Sequence, residues 1–276
     1  MNSKNEEDFI IDDSAIINEK KIKGENLSFS KIKIIKEKGE SSICEIIKDN
    51  GYGSGFFCKI KYEKKEEINC LITNNHVITR YMLLNKDNIE IKLKNEIKKI
   101  SLNKYRRLWT DEKIDFTCIE IIEEDKMIEM IKPFEIDDNC YIKEFDNKEE
   151  YKKRGIVLPS IGSTKEIELG QGIIYNIKNN KDMFVHDCNT EAGFSGGPIL
   201  LINNLKIIGI HKGYESKINK NIGIYLKEII NNIKREKEIY GKNIINCIID
   251  LKLNEIEKNI LLFNSSEKNK KEIKNN

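Results

Sequence analysis

The chain carries no excess of charge of either sign. Its 276 residues hold 48 lysines and arginines against 46 aspartates and glutamates, a formal net charge of +2. A nucleic-acid-binding surface is net basic, and this balance offers no such footprint. The lysine-rich stretch from Lys268 to Lys274 reads as a solvated tail. Long apolar runs are also missing: none approaches the ~18 residues a membrane helix needs, so no membrane span is expected. The N-terminus, Met1 to Asp8, is acidic and polar and has no hydrophobic signal core. Cysteine pairing is the third absence. The seven cysteines, Cys44, Cys58, Cys70, Cys118, Cys140, Cys188 and Cys247, are odd in number, and no two form a metal-type CxxC pair. Most lie in apolar, strand-like runs. They read as reduced, buried thiols of a protein working in a reducing, cytoplasmic compartment.

What is present is mostly β-type pattern. Residues 1–30 are polar with scattered isoleucines and read as a flexible N-terminal extension. Short β-rich runs then alternate with Gly, Asn, Asp and Lys clusters. The expected strands are 31–36, 42–48, 54–61, 68–73, 89–93, 97–102 and 116–122 in a first unit spanning 31–143. A charged connection over 144–154 precedes a second unit, 155–225, with strands at 155–158, 167–176, 183–188, 198–202, 206–212 and 221–225. Roughly six strands per half favour two antiparallel barrels over a parallel α/β sheet. From Leu226 the period changes: Leu226, Ile229, Ile230 and Ile233 recur at helical spacing. Helices are expected over 226–264, with a possible partner surface on them, and a disordered tail over 265–276.

The chemistry centres on Glu191-Ala192-Gly193-Phe194-Ser195-Gly196-Gly197-Pro198, which sets a hydroxyl in a glycine-rich turn ahead of an apolar strand. A serine hydroxyl is a poor nucleophile unless a base and an orienting acid accompany it. His76, in Thr73-Asn74-Asn75-His76-Val77-Ile78, supplies a base at a strand end. Asp115, opening the strand Phe116 to Ile122, supplies the acid, with Asp111 as its competitor. Gly51-Tyr52-Gly53-Ser54-Gly55 is glycine-rich but leads into the strand Phe56-Phe57-Cys58, whereas a phosphate loop leads into a helix.

In the order His76, Asp115, Ser195, separated by 39 (115 − 76) and 80 (195 − 115) residues, these motifs resemble those of the chymotrypsin-like (trypsin-like) serine peptidases. The resemblance covers about 41–226. It implies a mainly β fold of two antiparallel six-stranded β-barrels with a C-terminal helical extension, and an endopeptidase needing no metal or cofactor. Ser195 would form the acyl-enzyme, His76 act as base, and Asp115 orient it. Gly193 and Ser195 would offer backbone N–H groups to the oxyanion. The chain departs from the family in three places. Asn74 and Asn75 replace two alanines before the histidine, Val77 stands where secreted members usually have cysteine, and Phe194 replaces the aspartate used in zymogen activation. The strand Ile208-Gly209-Ile210-His211-Lys212-Gly213 resembles the pocket strand of glutamyl endopeptidases and picornaviral main proteases. That likeness assigns Thr190, His211 and Gly213 to substrate binding and implies cleavage after glutamate or glutamine. His186 has no motif around it and reads as structural. The expected partner is a peptide or protein substrate, with no nucleic acid and no membrane. Two alternatives stay open: a catalytically silent peptide-binding double barrel, and an esterase. The Gly-x-Ser-x-Gly hydrolases order their triads oppositely.

Overall fold

The structure, a computed structural model, describes residues 25–49, 51–62, 66–102, 106–176 and 182–240. Helix α1 (Phe29–Ser42) leads into strands β1 (Ile43–Ile47), β2 (Tyr52–Lys61) and β3 (Glu67–Thr73). After α2 (Arg80–Asn85) come β4 (Asn88–Leu93), β5 (Glu96–Ser101), β6 (Leu108–Asp111) and β7 (Phe116–Glu120). Three 3-10 turns and α3 (Asn147–Tyr151) cross to the second unit. It contains β8 (Gly155–Ile161), β9 (Ile167–Asn176), β10 (Met183–His186), β11 (Pro198–Leu201), β12 (Ile207–Glu215) and β13 (Lys220–Tyr225), and α4 (Leu226–Tyr240) follows.

The architecture is mainly β and built from two antiparallel units. The second is a closed six-stranded barrel in the order β10-β13-β12-β11-β8-β9. The first is a curled sheet of seven strands, β5-β4-β1-β2-β3-β7-β6. Local pattern explains the strands. In β4 the apolar Ile89, Ile91 and Leu93 are buried while Asn88, Glu90 and Lys92 face outward, the period of a half-buried strand. β8 is buried along its whole length, as a central barrel strand must be.

Two expectations fail here. The run 31–36, read as a strand, is the body of α1. Its Lys-Ile-Lys-Ile alternation suggests period two, but Ile34 is exposed while Ile35 and Gly39 are buried on one helical face. Ser28 caps the helix by accepting from the Lys31 N–H. Strand β6, four residues long, is not among the expected strands. Residues 1–24 of the expected N-terminal extension, the 241–264 part of the helical extension, and the 265–276 tail lie outside the described residues. No described helix is long and apolar enough to cross a membrane.

One apolar core joins the units. Ile35 of α1, Phe56, Ile72 and Phe116 of the sheet, and Val157, Leu200 and Ile210 of the barrel pack with Leu226, Ile229, Ile230 and Ile233 of α4. The last four are fully buried. α1 also reaches the barrel: the Lys31 ammonium donates to the carbonyls of Ile202 and Asn203. Just ahead of α1, Glu25 pairs with Arg154 at 2.9 Å.

The sheet has its own buried tie. The Arg106 guanidinium donates to both carboxylate oxygens of Asp125, at 2.8 and 2.6 Å, and to the carbonyls of Ser101 and Glu120. Both side chains are essentially inaccessible. Removing one partner of such a pair strands a charge in the interior, at a cost of about 3–5 kcal/mol. Arg106→Ala is expected to lower the unfolding free energy by that order in urea denaturation. A variant as stable as the parent would show that the tie contributes nothing.

Candidate active site

His76 sits in the turn that leaves β3, where the Asn74 carbonyl accepts from the Val77 and Ile78 N–H groups. Its backbone N–H donates to Asp115 Oδ1 at 3.0 Å. Its ring Nδ1 lies 2.9 Å from Asp115 Oδ2 and 3.2 Å from Oδ1. The carboxylate is therefore held from two directions by one residue, which orients the imidazole and leaves Nε2 facing outward. Asp115 is nearly buried and His76 half-exposed.

Asp115 closes the hairpin between β6 and β7 in a left-handed conformation, φ 69°, which aspartate tolerates better than most side chains. Asp111 does different work. Its Oδ1 accepts from the Lys113 and Ile114 N–H groups, and its Oδ2 accepts from Asn232 of α4. The two asparagines in place of alanines are structural. Asn74 Nδ2 donates to the Asp115 carbonyl, and Asn75 Nδ2 to Thr110 Oγ1.

Ser195 lies in the turn before β11, and groups from the first sheet hold this turn. The Ser54 N–H donates to the Ser195 carbonyl at 2.9 Å, and the Ser54 hydroxyl to the Gly193 carbonyl at 2.8 Å. Ser160 Oγ and the Ile161 N–H then donate to Ser54 Oγ. Gly196 has φ 88°, and a Cβ there would fall 2.1 Å from the Ser54 carbonyl oxygen, so glycine is required. Gly193 has φ 99°, and a Cβ there would strike the Tyr52 ring at 2.2 Å.

Tyr52 also sets the direction of one peptide group. Its hydroxyl donates to the Ala192 carbonyl at 3.2 Å. In a trans peptide the C=O and N–H point oppositely, so the Gly193 N–H is turned away from Tyr52. Among the described residues, neither the Gly193 nor the Ser195 N–H has a hydrogen-bond acceptor. The Ser195 hydroxyl donates to the Lys212 carbonyl at 3.2 Å, and no hydrogen bond joins it to His76. The Lys212 ammonium in turn lies 3.8 Å from Asp115 Oδ2. Lys212 thus links Ser195 to the His76–Asp115 pair, through its carbonyl at one end and its ammonium at the other.

The expected pocket residues occupy the same end of the barrel. His211 is buried on β12, and its Nδ1 meets His186 Nε2 of β10 at 3.1 Å. Burial holds His211 at about 4, helped by the nearby charge of His76. Burial, with His211 beside it, also holds His186 well below its ordinary value. Both rings are therefore neutral near pH 7, with one proton between the facing nitrogens. His186 Nδ1 is buried without a partner. A buried N–H without an acceptor is rarer than an acceptor without a donor, so the proton belongs on His186 Nε2. His211 then accepts at Nδ1 and carries its own N–H at Nε2. Thr190 Oγ1 donates to Asn221 Oδ1, whose amide donates to the Cys188 carbonyl. Nothing lies within 4 Å of where a Gly213 side chain would begin.

The sequence reading missed four residues that shape the site: Tyr52, Ser54, His186 and Lys212. Ser54 and Tyr52 were visible only as members of a glycine-rich stretch, and His186 only as one of three histidines. The six described cysteines are free and buried, and burial pushes their thiols up out of the reactive range. Cys247 lies outside the described residues. No cluster of metal-ligating side chains occurs among the described residues.

No family model and no curated protein sequence matches the chain. Solved structures do. The inactive form of the Rv3671c protease of M. tuberculosis aligns over 78% of this chain and 98% of its own, with a TM-score of 0.53 and 13% identity. The serine endoprotease from Yersinia pestis aligns over 73% of this chain and 65% of its own, with a TM-score of 0.50 and 15% identity. At these identities the likeness is one of fold, and the fold is that of the chymotrypsin-like serine proteases.

Proposed function

We propose that the chain is a serine endopeptidase acting through an acyl-enzyme on Ser195. The observation that carries this reading is the His76–Asp115 pair linked through Lys212 to Ser195, whose turn leaves two backbone N–H groups without acceptors. The Ser195 hydroxyl turns from the Lys212 carbonyl to His76 Nε2 and gives up its proton as Oγ bonds to the scissile carbonyl carbon. Asp115 stabilises the imidazolium that forms. The Gly193 and Ser195 N–H groups receive the oxyanion, each contributing about 3 kcal/mol. His76 then returns the proton to the departing amine, and a water molecule repeats the sequence on the acyl-enzyme. The reduced, buried cysteines support a reducing, cytoplasmic setting.

The primary pocket suits an uncharged amide best. His211 Nε2–H donates to the amide oxygen of a glutamine. The Thr190 hydroxyl, with its proton committed to Asn221, accepts from the amide nitrogen. A glutamate would bring a charge to two neutral imidazoles and the lone pairs of Thr190, and burying a charge without a counter-charge is costly. Glutamine before the cut is therefore preferred to glutamate.

Three measurements test these statements. A fluorophosphonate reagent is expected to label Ser195 in the full chain, and His76→Ala should slow labelling by ~10³-fold or more. A well-folded chain that takes no label is instead a peptide-binding module. Profiling against a peptide library at pH 7 should show glutamine ahead of glutamate by about tenfold or more, a margin that His211→Leu abolishes. Random cutting or a preference for arginine would remove the pocket assignment. Tyr52→Phe frees the Ala192 carbonyl and should lower kcat several-fold, up to ~10-fold, with little change in KM. An unchanged kcat would show that the hydroxyl does not hold the oxyanion donor.

A further inference from the structure

We propose that Lys212 is a positioning residue whose ammonium, held beside Asp115 by a bulge in β12, keeps the His76 imidazole unprotonated to lower pH than the Asp115 pair alone would. The inference rests on the peptidase reading and goes beyond its triad. Register supplies the first observation. β12 pairs His211 with Gly223 and then Gly213 with Ile222, so Lys212 is an extra residue without a partner on β13. A bulge of this kind turns a side chain out of its alternating direction and is common beside active sites. Here it serves both ends of Lys212. The carbonyl takes the Ser195 hydroxyl at 3.2 Å, and the ammonium reaches within 3.8 Å of Asp115 Oδ2. His76 Nδ1 meets that same oxygen at 2.9 Å.

One carboxylate oxygen therefore faces two cations whenever His76 is protonated. The Lys212 ammonium and an imidazolium at His76 would compete for the same carboxylate. The ammonium's field cancels part of the negative potential that Asp115 offers the imidazolium, and it repels the imidazolium directly. Asp115 is nearly buried and Lys212 only one-third exposed, so solvent screens this pair less than a surface pair. The other charged or titratable groups around His76 do not compensate. His211, on β12, and His186 behind it, on β10, are both held neutral near pH 7 by burial. From the β6–β7 hairpin, Asp111 is committed to its own turn and to Asn232. Ser195 of the nucleophile turn, Ser54 of β2 and Thr73 of β3 present uncharged hydroxyls.

The sign follows. Removing the ammonium makes the imidazolium easier to form, so the His76 titration and the acid limb of the Ser195 reaction both move to higher pH. The expected displacement for Lys212→Met or Lys212→Gln is about 0.5–1 pH unit, with Lys212→Arg close to the parent. The chain contains three histidines, His76, His186 and His211. NMR titration of their ring signals, assigned with His76→Gln, therefore reads His76 directly, without any substrate. The same variants are then labelled with an uncharged fluorophosphonate across pH 5–9. Parallel upward shifts in Met and Gln, restored by Arg, support the proposal. A His76 titration unmoved or lowered in both Met and Gln, or one that Arg displaces equally, overturns it. Two neutral replacements guard against one that folds poorly. Failure of the parent to label at any pH would instead defeat the peptidase reading, so the two failures are separable.

Discussion

Ser54 belongs to the first sheet, yet its N–H and hydroxyl hold the carbonyls of Ser195 and Gly193 in the turn before β11 of the barrel. These bonds join the sheet and the barrel at the Ser195 turn. With the Ala192 carbonyl held by Tyr52, the Gly193 N–H points the other way, and among the described residues neither it nor the Ser195 N–H has an acceptor. Unpaired donors in a cleft are a standing cost in free energy. That cost is tolerable only where other contacts over-determine the turn. Here Ser54, Ser160, Tyr52 and the pairing of Gly196 and Gly197 with His211 all do so.

Helix α4 stands behind this seam. Its four fully buried aliphatic residues complete the core shared by the two units, and Asn232 on the same helix binds Asp111 at the base of the Asp115 hairpin. The helix therefore braces the hairpin that carries Asp115. α1 acts similarly at the far end, with Lys31 bound to carbonyls of the second barrel. Geometry at the cleft thus depends on segments that flank both β units.

The neutral His186–His211 pair and the Lys212–Asp115 contact illustrate two uses of electrostatics at adjacent residues of one strand. Desolvation removes charge from His211, so it can donate a hydrogen bond without attracting an anion. One position along the backbone, the bulge aims the Lys212 ammonium at Asp115. Because a strand alternates its side chains between faces, regular pairing offers no such freedom. The bulge is the device that separates the two roles.

Much of the fold was legible in the sequence. Strand period and turn residues marked β9 at its full extent and most other strands to within a few residues, and the change to helical period at Leu226 located α4. The failure at 31–36 has a physical reason: alternating Lys and Ile satisfy a strand, but Ile32, Ile35 and Gly39 also line one side of a helix, and packing against Ile167 decided the outcome. His76, Asp115 and Ser195 stood out because their turns carry local chemistry that only certain residues satisfy. Their supporting residues did not. Lys212 is one of 48 basic residues and meets Asp115 from 97 positions away (212 − 115). Local periodicity and turn chemistry belong to neighbours in the chain, so sequence alone determined the two β units and the residues at their turns. Barrel register decided which distant side chains meet: His186 behind His211, Tyr52 on Ala192, and Lys212 on Asp115. A one-residue slip would turn each of these to the opposite face.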